Sequence, residues 1–249
     1  MSTPVSVDEQ RAYWRDADAD HFRWQTSAPF VAKSEAALLA GMTLADGARL
    51  LEVGCGEGGN LFHIATQHPS ARLVGTDFST EKAAFAAHAT GARTVRSDAR
   101  ALPFAEASFD AVLVRDLLHH LPPALRVDAL TEAHRVLRPG GVLTLIEPNG
   151  KSPLVLLQAL TVREERGVLV SDKARLVEEL RCAGFVAIEV ARRQPLPLSR
   201  VVLHPTLGAP SLGSLGLVRA ALHAIESAAA ILPSFVWAYL VCTATKEES

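Results

Sequence analysis

Residues 49–60 read Arg-Leu-Leu-Glu-Val-Gly-Cys-Gly-Glu-Gly-Gly-Asn, an apolar run of strand character that breaks into glycines and leads into a helical pattern over 60–67. A strand that ends in a glycine turn and opens a helix is the first half of a βαβ unit. Such units build parallel sheets with helices on both faces. The alternation continues, with strand-like runs at 71–76, 92–96, 109–114 and 142–147 and helical patterns near 80–89 and 123–137. Pro139-Gly140-Gly141 stops the last of these helices, because proline cannot continue it and glycine accepts the turn. The pattern therefore predicts an α/β chain with a doubly wound, mostly parallel sheet.

The flanks are less regular. An amphipathic leader, residues 1–47, carries Tyr13, Trp14, Phe22 and Trp24 and a helix-like stretch around Lys33 to Ala40. It packs as ordinary N-terminal helix or closes as a lid over a site. Residues 151–170 read as an insertion; Ser171-Asp172 then starts a helix to Ala183, Gly184 ends it, and 185–191 is a further strand. A connection over 195–215, a helix near 216–231 and a strand near 235–244 follow. The expected organisation is the leader and one domain over 48–249, with variable elements at 151–170 and 195–231.

Composition narrows the function classes. With 49% hydrophobic and 21% charged residues in 249, the chain can bury a sizeable core. Twenty-five basic residues against 27 acidic ones give a net charge of -2, no footprint for nucleic acid. Cys55, Cys182 and Cys242 are far apart and odd in number, so neither a disulfide framework nor a metal site is expected, and a reducing, cytoplasmic setting fits. The polar, acidic first residues lack the form of a secretory signal. The most apolar stretch, 228–244, is interrupted by Pro233 and is marginal against the roughly 20 residues a membrane helix needs.

The glycine turn alone does not fix the ligand, because Gly54, Gly56 and Gly59 also satisfy the dinucleotide fingerprint G-x-G-x-x-G. Asp77 ends the second strand, 21 positions after Gly56, where a carboxylate can accept hydrogen bonds from ribose hydroxyls. It could equally cap the helix beginning near Thr80. The third strand is followed by Ser97-Asp98-Ala99, Leu102-Pro103-Phe104 and Ser108-Phe109-Asp110-Ala111-Val112.

Taken in order, Leu-Leu-Glu-Val-Gly-Cys-Gly-Glu-Gly, Gly-Thr-Asp-Phe-Ser, Ser-Asp-Ala-Arg-Ala-Leu-Pro-Phe, Ser-Phe-Asp-Ala-Val, Leu-Leu-His-His-Leu and Arg-Val-Leu-Arg-Pro-Gly-Gly-Val-Leu span about residues 49–147. In these pieces the chain resembles the class I S-adenosylmethionine-dependent methyltransferases, in particular the group acting in quinone and sterol biosynthesis. The resemblance implies a Rossmann-like, seven-stranded sheet whose last strand, supplied by Val-Trp-Ala-Tyr-Leu-Val-Cys-Thr-Ala-Thr-Lys, is antiparallel. It implies S-adenosyl-L-methionine as cofactor and a small-molecule methyl acceptor as partner. By position it puts Glu52, Gly54, Cys55, Gly56 and Gly58 around the methionine part, Asp77 on the ribose, Phe78 against adenine, Asp98 and Ala99 at the adenine edge, and Arg115 toward the methionine end.

His119, with His120 after the fourth strand, is the candidate general base for a phenol or hydroxyl acceptor; a structural role is the competing reading. The expected reaction is O-, N- or C-methylation of an apolar or aromatic metabolite by in-line displacement. Two alternatives remain open at this point, a nicotinamide-dependent oxidoreductase and a noncatalytic cofactor-binding protein of the same fold.

Overall fold

The structure, a computed structural model, describes residues 5–205 and 208–248. The first four residues of the leader, residues 206–207 of the long connection and residue 249 lie outside the described residues. Helices α1 (Val7–Tyr13), α2 (Ala19–Ser27) and α3 (Pro29–Leu39) lead into the alternating region. That region comprises β1 (Arg49–Val53), α4 (Gly59–Gln67), β2 (Arg72–Asp77), α5 (Thr80–Thr90), β3 (Arg93–Arg96), β4 (Phe109–Arg115), α6 (Pro123–Val136) and β5 (Leu137–Pro148). Then come α7 (Pro153–Thr161), α8 (Lys173–Cys182), β6 (Val186–Arg193), α9 (Leu198–Val202), α10 (Gly216–Ala228) and β7 (Tyr239–Thr245).

All seven strands form one sheet in the order β3-β2-β1-β4-β5-β7-β6. β1 pairs in parallel with β2 and β4, whereas β7 runs antiparallel to both β5 and β6. The expected doubly wound sheet with an antiparallel last strand is therefore the observed one. β1 and β4 are near-continuous apolar runs because helices cover both faces; Leu50, Leu51, Val112 and Leu113 are wholly buried. The strand order reverses between β1 and β4, and the crevice outside the carboxyl ends of strands at such a point is where this architecture places ligands.

Local chemistry sets the boundaries. Ser79 caps α5, its Oγ accepting from Lys82 N at 3.1 Å, and Gly91 ends the helix in the left-handed conformation. The capping alternative for Asp77 is thus taken by its neighbour. β5 begins at Leu137 instead of 142 because Leu137 already pairs with Phe109. Pro139-Gly140-Gly141 is consequently a kink within the strand, with Gly140 at φ 70° and a register shift between Phe109 and Ala111.

The irregular flanks are ordered too. The insertion expected over 151–170 holds α7 and a 3-10 segment, Arg163–Val170, and buries Val155, Ala159 and Val168. Trp24 and Val31 of the leader pack with Leu203 and Leu222 in a small separate core. Among the described residues no helix is long and apolar enough to cross a membrane.

Candidate active site

A cavity of about 790 Å³ opens at the carboxyl edge of the sheet. The glycine turn forms one wall, with Gly54 at φ 77° and Gly56 at φ 51°, a region open to glycine at little cost. Gly54, Cys55, Gly56, Asp77 and Phe78 line it, and across from them stand Asp98, Ala99, Arg115 and His119. The structure therefore gathers nine of the eleven residues singled out from the sequence.

Glu52 and Gly58 are the two it does not bring to the cavity. Glu52 is fully buried and accepts from Asn60 Nδ2 at 2.6 Å, so its side chain ties β1 to α4. Burial pushes its carboxyl up to about 8, although the Asn60 hydrogen bond opposes the shift. Gly58 sits behind the turn at φ 88°, where a Cβ would come within 3.0 Å of Ala86 Cβ and Thr90 Cγ2. Its absent side chain serves the packing of the loop on α5.

Asp77 is anchored without being exhausted. Its Oδ2 accepts from Gly56 N and its Oδ1 from Ser79 N, both at 2.9 Å. Burial raises its pKa against the lowering effect of those two donors. A carboxylate offers about four lone-pair sites, so two remain for ribose hydroxyls.

Asp98 is in the opposite condition. Its Oδ1 accepts from Arg100 N and Nε at 3.0 Å each, and its Oδ2 from Arg100 Nη2 at 2.7 Å and from Arg11 Nη2 at 2.5 Å. The Arg100 contacts hold its carboxyl down at about 2. Every acceptor position is in use, and the adenine edge assigned to Asp98 is closed by Arg11 of α1.

Arg115 lines the cavity while almost wholly buried. It donates to Glu35 Oε2 at 2.5 Å and to Asn60 Oδ1 at 2.7 Å, while Arg200 forms a second, short ion pair with Glu35. Burial works against ionisation of Glu35, but Arg115 and Arg200 outweigh it and keep the carboxyl at about 2. Next in the chain, Asp116 lines the same cavity at φ 49° with its Oδ1 buried and lacking a hydrogen-bond donor. A non-glycine residue held there stores roughly 1–3 kcal/mol of strain, a feature that clusters at functional sites.

His119, the candidate general base, stands between two carboxylates. Glu147 Oε2 lies 2.8 Å from its Nδ1 and Glu165 Oε2 lies 3.4 Å from its Nε2. Burial lowers the imidazole pKa, but the two carboxylates overcome this and lift it to about 10. Both ring nitrogens thus face carboxylates, which favour the protonated ring. Glu147 is itself fixed by Leu117 N and Leu118 N at 2.8 Å and His119 N at 3.2 Å.

Further groups complete the site. Trp14 packs on His120 with ring centroids 5.0 Å apart, and Lys82 Nζ lies 5.4 Å from the Trp14 ring centroid. Glu57 takes Lys82 Nζ at 3.1 Å and Asp18 N at 3.2 Å, which binds the leader to the glycine turn. The far wall is apolar, with Leu154, Val155, Leu157, Val162 and Val201. Trp14 and the 154–162 residues lie in the leader and insertion already flagged from the sequence, whereas Lys82 was not singled out there.

A methyltransferase-domain family model matches residues 51–145. The chain is 41% identical over 100 residues to a fatty-acid O-methyltransferase of Mycolicibacterium smegmatis, covering 39% of this chain and 35% of that protein. It is 40% identical over 115 residues to the 27-O-demethylrifamycin SV methyltransferase of Amycolatopsis mediterranei, covering 43% of this chain and 41% of that one. The chain thus spans less than half the length of these two relatives. Among solved structures it resembles a Haemonchus contortus phosphoethanolamine N-methyltransferase in complex with S-adenosylhomocysteine, with a TM-score of 0.69 and 20% identity over 98% of this chain and 61% of that one. A [4+2]-cyclase shares the fold at a TM-score of 0.64 and 21% identity, covering 100% of this chain and 98% of its own.

Proposed function

Because the chain belongs to the class I S-adenosylmethionine-dependent methyltransferases, we propose that it methylates an apolar small molecule held in the cavity at the carboxyl edge of its sheet. The observation that carries this reading is that Gly56, Asp77, Asp98 and the apolar wall of the 151–170 insertion all open onto that one cavity.

The residues present suit the cofactor. The turn at Gly54 and Gly56 leaves its backbone open to close approach, Asp77 retains acceptor capacity for two hydroxyls, and Phe78 and Ala99 offer apolar surface to an adenine ring. When bound, the sulfonium supplies an electrophilic methyl group for in-line attack by the acceptor. What remains for the protein is chiefly alignment, which can lower such a barrier by about 7–11 kcal/mol. Where the acceptor carries a proton that must leave, Asp116, which lines the cavity and whose Oδ1 lacks a donor, is a second candidate recipient beside His119.

The acceptor elements are residues 151–170 and 195–231, and the leader is the lid. The fatty-acid and rifamycin relatives support an O-nucleophile on a largely apolar body. Calorimetric titration with S-adenosylhomocysteine and with NADH tests the cofactor half: binding of the first and not the second is expected, and the reverse would return the oxidoreductase reading. Labelled cofactor with saturated fatty acids of graded length tests the acceptor half. The [4+2]-cyclase keeps that second experiment necessary, because a shared fold does not fix the reaction.

A further inference from the structure

His119, His120 and Glu165 each present a ligand-type atom to a common point, all within 4.8 Å of one another. His120 follows His119 directly, with ring centroids 3.9 Å apart, and its Nδ1 is buried without a hydrogen-bond partner among the described residues. All three side chains line the cavity. Behind them Glu147 Oε2 lies 2.8 Å from His119 Nδ1 and is locked by three backbone N–H groups. A carboxylate on the far nitrogen is the usual outer partner of a metal-bound imidazole, because it fixes the tautomer with Nε2 free to coordinate.

The chain is shaped to bring the third residue in. A Cβ on Gly167 would come within 1.7 Å of His119 O, so only glycine lets the 163–170 segment lie this close to the histidine pair. Arg126, wholly buried, clamps the same segment by donating to Gly167 O at 3.0 Å and to Ser171 Oγ at 3.1 Å.

We propose that His119, His120 and Glu165 form a binding site for a divalent cation of the zinc type in the acceptor half of the cavity, with Glu147 as the outer partner of His119. Two imidazoles and one carboxylate favour a borderline transition-metal ion over Mg²⁺ or Ca²⁺, which prefer all-oxygen shells. Bonds of about 2.0–2.2 Å require ligand atoms as far apart as 4.8 Å to close by roughly 1.5 Å. Three protein ligands leave a coordination position facing the cavity, suited to an oxygen of the acceptor. The offered acceptor position rests on the methyl-transfer reading, whereas ion binding itself does not, since none of the three ligands is assigned to the cofactor.

The test uses untagged, chelator-stripped full-length protein carrying Cys182→Ser, which removes the one exposed thiol. Co²⁺ is followed by its visible absorption and Zn²⁺ by calorimetry. One ion per chain is expected, with His120→Ala and Glu165→Gln each weakening binding at least about tenfold while circular dichroism stays unchanged. Absence of saturable uptake by the Cys182→Ser protein, or uptake that both folded variants leave intact, overturns the site. Saturation by Mg²⁺ with no response to Co²⁺ or Zn²⁺ overturns it as well. A variant that does not fold leaves the Cys182→Ser titration to decide. Failure here with normal S-adenosylhomocysteine binding would leave the cofactor reading untouched, and the converse result would separate them the other way.

Discussion

Asp77 and Glu35 are both buried acids, yet they answer to different partners. Asp77 is held by two backbone N–H groups and keeps free lone pairs. Asp77→Ala is accordingly expected to weaken S-adenosylhomocysteine binding by about 1–3 kcal/mol, the usual cost of leaving polar groups without partners; unchanged calorimetry would remove the ribose assignment. Glu35 instead is shared between Arg115 and Arg200. Glu35→Gln removes their shared counter-charge, leaving Arg115 only Asp116 at 3.2 Å, and should cost about 3–5 kcal/mol in urea unfolding at pH 7. Because its folded pKa of about 2 lies below the ordinary 4.5, that stabilisation is present above 4.5 and is lost as pH falls toward 2. The gap between wild type and variant should shrink over that window. Glu52 has the reverse sign: with a folded pKa near 8, it disfavours the folded state increasingly as pH climbs from 4.5 to 8. Glu52→Gln keeps the acceptor for Asn60, and its stability relative to wild type should be higher at pH 9 than at pH 5. The glycines and acids at strand ends were legible in the sequence because strand position alone places them at the sheet edge. Glu35, Arg126, Glu165 and Arg200 were not, since their meaning lies in partners as distant as the 165 positions between Glu35 and Arg200.

At the level of elements, α1 is the part whose consequence was least visible. Its capping box at Ser6 and Glu9 is local chemistry, but nothing local says that Arg11 reaches Asp98 or that Gln10 donates to Glu164 O at 2.8 Å. If the adenine amine needs Asp98, Arg11 must first withdraw. Arg11→Ala should then tighten S-adenosylhomocysteine binding by up to about fivefold, matching the roughly 0.2–1 kcal/mol of an accessible ion pair. Weaker binding would show that Arg11 helps hold the cofactor. The βα alternation was readable to within a few residues because each strand and helix carries its own period. The 3-10 segment at 163–170 was read only as insertion, because its shape comes from Gly167 and Arg126 contacts made elsewhere in the chain.

Across the whole molecule, the two irregular flanks depend on each other. Trp24 and Val31 share a core with Leu203 and Leu222, so the leader and the helices near 198–228 pack together although about 170 residues of chain separate them. Trp24→Ala should raise amide exchange over 198–205 and 216–228 while β1, β4 and β5 stay protected; uniform exchange throughout would mean that this small core supports the central sheet instead. This cross-chain core was outside the reach of pattern reading, which sees periodicity within a window and not which faces meet.

β7 is inserted between β5 and β6, bonded to both. Until residues 239–245 have been synthesised, those two strands border a gap one strand wide, each with a row of open backbone groups. A ribosome-bound chain can assemble β1 to β5 early but cannot seal this side, so the final folding step must wait for the last strand to emerge. Chaperone capture during synthesis would meet the chain at those open edges.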